Sequence, residues 1–181
     1  MIMRKLFTVS ITLVALTSLT AATNYDIANT PVLEEYSAED LHCLALNIYH
    51  EARNESLAGQ VAVADVTLNR VYDTRYPDTI CGVVHQTVLS NWHLERGREV
   101  PVRNKCQFSW YCDGKSDEPK DGDSWSSAKQ ITQNFLTYGG FRGITEGATH
   151  YHASYVNPNW VNDRGMHMVG SIGEHIFYRW D

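Results

Sequence analysis

A chain of 181 residues is long enough for one domain with a substantial core. Its 21 acidic residues outnumber 15 basic ones, for a formal charge of −6, the wrong sign for the electrostatic footprint of a nucleic-acid binder. Nothing in it is basic enough to hold a membrane surface, so a neutral or mixed-charge substrate is expected.

The N-terminus reads as separate from the domain. Arg4 and Lys5 precede an uncharged run from Leu6 to Thr23 that ends in small residues, Thr20-Ala21-Ala22. This is the three-part layout of a secretory signal over residues 1–22. The alternative is a retained anchor, for which the run is short and diluted with Thr and Ser. Loss of Arg4 and Lys5 leaves 13 basic against 21 acidic residues and moves the charge to −8. Residues 23–36 contain Pro31 and no clear periodicity, and read as a leader. The domain is expected over 37–181, exported to the periplasm or cell wall, and monomeric; any membrane contact would come through an uncleaved N-terminal segment alone.

Export favours disulfides for an even set of cysteines. Cys43, Cys81, Cys106 and Cys112 allow three connectivities. Cys106 and Cys112 enclose a short loop and are the first choice, which leaves Cys43 with Cys81. Neither pair has the close CxxC spacing of a zinc site.

The first helix is expected from Ser37 to about Ala52 or Arg53. Ser37 is its N-cap, and Glu39 and Asp40 sit at its positive end. Leu41, Leu44, Ala45, Ile48 and Ala52 form one apolar stripe. Asn54 suits a left-handed C-terminal cap. A second helix is expected over Leu57–Val71, with Ala58, Ala62, Val66 and Asn69 on one face. Tyr76-Pro77-Asp78 breaks the pattern, and Thr79–Leu89 reads as a short turn or helix. From Ser90 to Gly122 the chain is polar, aromatic and rich in turn residues, the composition of a long functional loop. A third helix starts near Ser124, buries Ala128, Ile131, Phe135 and Leu136, and stops at Gly139-Gly140. Thr149–Val156 and His175–Trp180 alternate as strands do. Helices followed by a small antiparallel sheet make an α+β domain.

Several groups could carry chemistry. Glu51 lies on the flank of the first helix's apolar stripe. Partial burial there raises a carboxyl pKa and favours the protonated form that a general acid needs. The structural alternative is a flank carboxylate paired with Arg53 or another cation. Gln107, Phe108, Ser109 and Trp110 place amides beside aromatics, as a sugar groove does; alternatively, the two rings pack beneath the loop. His150 and His152 share a strand face, and with His175 they could hold zinc. The bland reading is strand histidines hydrogen-bonded to neighbours. Gly170 and Gly173 read as turns that place a closing strand, with Tyr178 within reach of the groove. There is no GxSxG elbow and no phosphate-cradling glycine loop.

The ordered blocks Ile48-Tyr49-His50-Glu51-Ala52-Arg53-Asn54-Glu55, Gly59-Gln60-Val61-Ala62-Val63-Ala64, Leu68-Asn69-Arg70-Val71, Pro77-Asp78-Thr79-Ile80-Cys81, Gln107-Phe108-Ser109, Gly147-Ala148-Thr149-His150-Tyr151-His152 and Ile172–Tyr178 resemble the SleB/CwlJ cell wall hydrolases. That family includes spore-cortex-lytic enzymes and related phage and proteobacterial proteins. The likeness spans roughly Asp40 to Trp180 and departs at Asn54, where the family usually has Gly.

The resemblance implies a lysozyme-like catalytic domain acting on peptidoglycan glycan strands between N-acetylmuramic acid and N-acetylglucosamine. It would work as a lytic transglycosylase, or as a muramidase if water enters, with no metal and no cofactor. It implies Glu51 as general acid/base. Gln107, Phe108, Ser109, Tyr151, His152 and Tyr178 are the expected substrate-binding residues, with Arg53, Glu55 and Asn69 in support. Glu55 is expected to hold the turn or to pair with Arg53 or Arg70. Both a bacterial remodelling enzyme and a phage lysis enzyme, an endolysin, are compatible with this layout. The competing readings are a zinc amidase built on His150, His152 and His175, and a non-catalytic wall-binding module.

Overall fold

The computed structural model describes residues 36–181; the signal and most of the leader lie outside the described residues. Helix α1 covers Ala38–Ala52, capped by Ser37 in a reciprocal capping box with Asp40. Helix α2 covers Leu57–Val71, capped by Ser56. Both follow the predicted bounds. The turn between them differs from expectation. Arg53 ends α1 in a right-handed conformation, Asn54 is not among the residues with positive φ, and the Glu55 amide donates to the Ala52 carbonyl at 2.9 Å. Ser56 begins α2 so soon that the chain has no room for a left-handed reversal.

Helix α2 is the centre of the molecule. Its residues 61–68 are all buried, more than the single face expected, while Ala58 at its start is exposed. A helix buried all round must be covered on every side, and its polar residues need partners there. Helix α1, the short α3 (Ile80–Val84) and α5 (Gly122–Tyr138) close one core around it through Leu44, Ile48, Val61, Val83, Ile131 and Phe135. On its other side Ala62 and Val66 pack on Phe177 of the sheet. Asp121 caps α5, and Gly139 ends it at φ 61°, a left-handed value that favours glycine. The disulfides are Cys43–Cys81, tying α1 to α3, and Cys106–Cys112.

The expected long loop from Ser90 to Gly122 is interrupted by short regular elements. Strands β1 (Thr87–Leu89) and β2 (Pro101–Cys106) pair antiparallel around the short helix α4 (Asn91–Leu94). A 3₁₀ turn, Ser109–Cys112, follows. The second sheet has the order β3-β5-β4, all antiparallel, from His150–Ala153, Met166–Ile172 and His175–Trp180. Strand β4 was not anticipated. Gly170 lies at a register irregularity inside it, where a turn was expected, whereas Gly173 at φ 57° does form the β4–β5 turn.

Two polar networks start from buried residues of this core. The Asn47 amide donates to Thr67 at 3.1 Å and accepts from the Trp110 indole at 3.1 Å. Asp65, fully buried on α2, pairs with the Arg142 guanidinium. It also accepts from the Gly143 amide at 2.9 Å and from the Thr145 amide and hydroxyl at 3.0 and 2.6 Å. Asn69, one turn on, donates to the Ala148 carbonyl at 2.8 Å and to Thr145 at 3.1 Å. Together these bonds fix the 142–148 segment and so aim β3 at the end of α1.

Candidate active site

Glu51 is in the last turn of α1, where the helix meets β3. It is half-buried, and Tyr151 of β3 donates its phenolic hydrogen to Glu51 Oε2 at 3.0 Å. Loss of hydration pushes the Glu51 carboxyl above its ordinary pKa; the Tyr151 hydrogen bond and the Arg70 charge oppose that rise. Burial, together with the neighbouring Glu51, also raises the Tyr151 phenol well above its usual value, so Tyr151 stays a hydrogen-bond donor.

Two cavities meet at Glu51. The first, about 250 Å³, is lined by Glu51, Arg70, Gln107, Phe108, Ser109, His150, Tyr151 and Trp160. Glu51 is the one carboxylate in that lining. His150 is held down to about 4 by burial and by Arg70 and Arg75, which leaves it neutral near pH 7. The second cavity, about 230 Å³, runs along the α1–α2 turn and is lined by His50, Glu51, Arg53, Glu55, Tyr155, Glu174 and His175 among others. A groove with a desolvated acid at its midpoint is the geometry for protonating a bond that spans both sides.

The predicted binding residues divide. Gln107, Phe108, Ser109 and Tyr151 meet at the first cavity. Phe108 is nonetheless buried, and Trp110 packs beneath the loop, stacked on His50 with ring centroids 4.5 Å apart. His152 and Tyr178 lie outside both linings. They bond each other at 3.2 Å and pack against Trp160, whose ring reaches the cavity in their place.

Among the supporting residues, Arg53 lies over the Tyr49 ring and donates to the Tyr49 carbonyl at 3.4 Å. Asn69 anchors the 145–148 segment as described. Glu55 pairs with neither Arg53 nor Arg70. Its Oε2 accepts from the Glu174 amide at 3.2 Å, and a Cβ at Gly173 would collide with that oxygen. Glu55 therefore clamps the β4–β5 turn. Glu51 itself forms no ion pair with Arg53, contrary to the structural alternative.

The three histidines do not form a ligand set. His150 pairs with Tyr178, Tyr151 with Phe177, and Ala153 with His175 across β3–β5. Opposed residues share a face and neighbours alternate. His150 and His152 therefore share one face with Tyr178, while His175 is on the other with Tyr151 and Phe177.

One residue that sequence reasoning underweighted is Arg70, at the end of α2 and only 3% exposed. Its signal was a cation at the end of a helix whose neighbouring residues Val63, Val66 and Leu68 mark a buried element.

A sequence profile of the cell wall hydrolases matches residues 54–178. The chain belongs to the cell wall hydrolase family. The match starts three residues after Glu51, so the case for that residue rests on geometry. The chain is similar to the spore cortex-lytic enzyme of Oceanobacillus iheyensis, at 44% identity over 64 residues, 34% of this chain and 23% of that protein. It is also similar to the Bacillus subtilis enzyme of the same name, at 41% over 51 residues, 28% and 17%. The chain thus spans about a quarter or less of the length of the curated relatives it matches.

Among solved structures, the catalytic domain of the Bacillus cereus SleB protein superposes with a TM-score of 0.54 at 25% identity, covering 80% of this chain and 92% of that one. The catalytic domain of the germination-specific lytic transglycosylase SleB from Bacillus anthracis gives 0.54 at 26%, covering 82% and 100%. This cell wall hydrolase domain has the lysozyme-like α+β fold that the sequence led us to expect.

Proposed function

We propose that this cell wall hydrolase cuts the glycan strands of peptidoglycan between N-acetylmuramic acid and N-acetylglucosamine, as a lytic transglycosylase with Glu51 as its single acid/base. The observation that carries the reading is the Glu51 carboxyl at the junction of two cavities, desolvated and hydrogen-bonded by Tyr151. The relatives named as cortex-lytic enzymes and as a lytic transglycosylase point the same way.

Glycosidases that act with two carboxyls hold them on either side of the scissile bond. Here the nearest carboxyl in sequence, Glu55, is committed to the β4–β5 turn. A one-carboxyl route fits better. Protonated Glu51 donates to the glycosidic oxygen as the bond from the muramic C1 breaks, and the 2-acetamido group stabilises the cationic C1. The carboxylate so formed then takes the proton of the muramic C6 hydroxyl, whose oxygen bonds C1 and closes a 1,6-anhydro ring. The two opposing influences on Glu51 suit this sequence: burial favours its protonated form for the first step, and Tyr151 and Arg70 accommodate its charge for the second.

The same reading places the protein outside the cytoplasm, delivered by the N-terminal segment as a signal or an anchor, in the periplasm or cell wall. It would act as a monomer, in a bacterium's own wall remodelling or in phage lysis. Digestion of purified peptidoglycan followed by mass analysis tests it. Fragments ending in anhydromuramic acid are expected. New reducing ends would make the protein a muramidase, free peptides would make it an amidase, and binding without release would make it a wall-binding module.

A further inference from the structure

Arg70 is a buried guanidinium that forms no ion pair among the described residues. Removing such a charge from water is costly unless its donors are used. They are used for positioning. Nε donates to the Thr149 carbonyl at 2.7 Å, at the entry to β3. The plane lies near the rings of Phe108 and Tyr76, with centroids 5.1 and 5.5 Å from the guanidinium carbon. The two terminal nitrogens face the side-chain amide of Gln107. A guanidinium can only donate, so only one amide orientation is paired: the Gln107 oxygen accepts from Nη1 and Nη2 at 3.2 and 3.1 Å.

From this geometry we infer that Arg70 is a positioning residue that pins the Gln107 oxygen and leaves its NH₂ as a fixed donor in the cavity beside Glu51, which sets the site to read the carbonyl oxygen of a sugar's acetamido group. An amide free to turn would accept from a hydroxyl as readily as it donates. Bound on its oxygen side, it discriminates: an acetamido carbonyl is satisfied, whereas an ammonium on the same carbon meets donors with donors. The inference rests on the glycan reading above and specifies which group of the glycan is recognised. It also accounts for a guanidinium buried at the end of α2 without an ion-pair partner among the described residues.

The test uses the Glu51→Gln chain, which holds glycan without cutting it, and two probes: the tetramer of N-acetylglucosamine and its de-N-acetylated counterpart. Calorimetry should find the acetylated tetramer bound about tenfold or more tightly, the worth of one well-placed hydrogen bond. Adding Gln107→Glu keeps an acceptor for Arg70 and removes the donor. The melting temperature should hold while the preference vanishes or inverts toward the cationic tetramer. Arg70→Lys, which keeps the charge but not the two-point grip, should also erase the preference, and Gln107→Glu carries the test if that chain does not fold. A preference that survives Gln107→Glu overturns the inference and leaves the glycan reading standing. If the Glu51→Gln parent binds neither tetramer, the glycan reading fails and the inference falls with it.

Discussion

Asp65 and Glu51 are both carboxyls on packed helices of one core, and their surroundings differ in kind. Asp65 accepts from a guanidinium, two backbone amides and a hydroxyl. Glu51, among the described residues, accepts from the Tyr151 hydroxyl, with open cavity on two sides. A carboxylate saturated with donors from the fold serves the fold. One left short of donors while partly desolvated is free to exchange a proton with a ligand. On the proposed reading the same core holds a structural acid and a reactive one, told apart by how many donors reach each.

Breaking that contrast gives the largest effects. Glu51→Gln should lower the rate of peptidoglycan cleavage by roughly 10²–10⁴-fold, the usual worth of a general acid/base. It should also melt higher than the parent near neutral pH. A carboxyl whose pKa is raised on folding contributes stability at low pH that is lost as pH rises through the folded value; the amide carries no such cost. A thermal melt beside the rate assay checks both signs. Asp65→Asn should do the reverse. It turns an acceptor of the Gly143 and Thr145 donors into an amide that meets one of them with its own NH₂, and a buried polar group left unsatisfied costs about 1–3 kcal/mol, read from urea unfolding.

Gly173→Ala sharpens the role of Glu55. A methyl at φ 57° meets Glu55 Oε2, so stability should fall by about 1–3 kcal/mol, and Glu55→Gln should recover none of it, since an amide is as large as a carboxylate. Tyr151→Phe has the smallest expected effect, about a tenfold loss of rate, the worth of one hydrogen bond. Its pH profile is the more telling readout. The acid must be protonated, so activity falls as pH rises through the Glu51 pKa. Removing a bond that lowers that pKa should move the falling limb to higher pH.

The parts of the fold legible in the sequence were those with a local signature. Ser37 and Ser56 announce helices that begin where expected, apolar periodicity carries both to their ends, and cysteine parity with loop length gave the disulfides. Strand β4 was hidden because Met166–Ile172 carries no clear alternation and Gly170 interrupts its register. The face of His175 depends on which residue it opposes in β3, a pairing no local pattern contains. Within the site, the place of Glu51 on the flank of the α1 stripe marked it as a partly buried carboxyl, and the resemblance of the surrounding block to the cell wall hydrolases pointed to its role. The grouping of Arg70 with Gln107, and the withdrawal of Glu55 to the Gly173 turn, joins residues far apart in the chain. Only the folded arrangement reveals that Glu55 is engaged at that turn.

The most direct test compares Glu51→Gln with Glu55→Gln on the same purified peptidoglycan, with released fragments weighed. Glu51→Gln should release no anhydromuramic ends above background, while Glu55→Gln should release the parent's products from a less stable protein. Anhydromuramic products from Glu51→Gln at the parent's rate, or their loss from a folded Glu55→Gln chain, would contradict the assignment of Glu51 as the single acid/base.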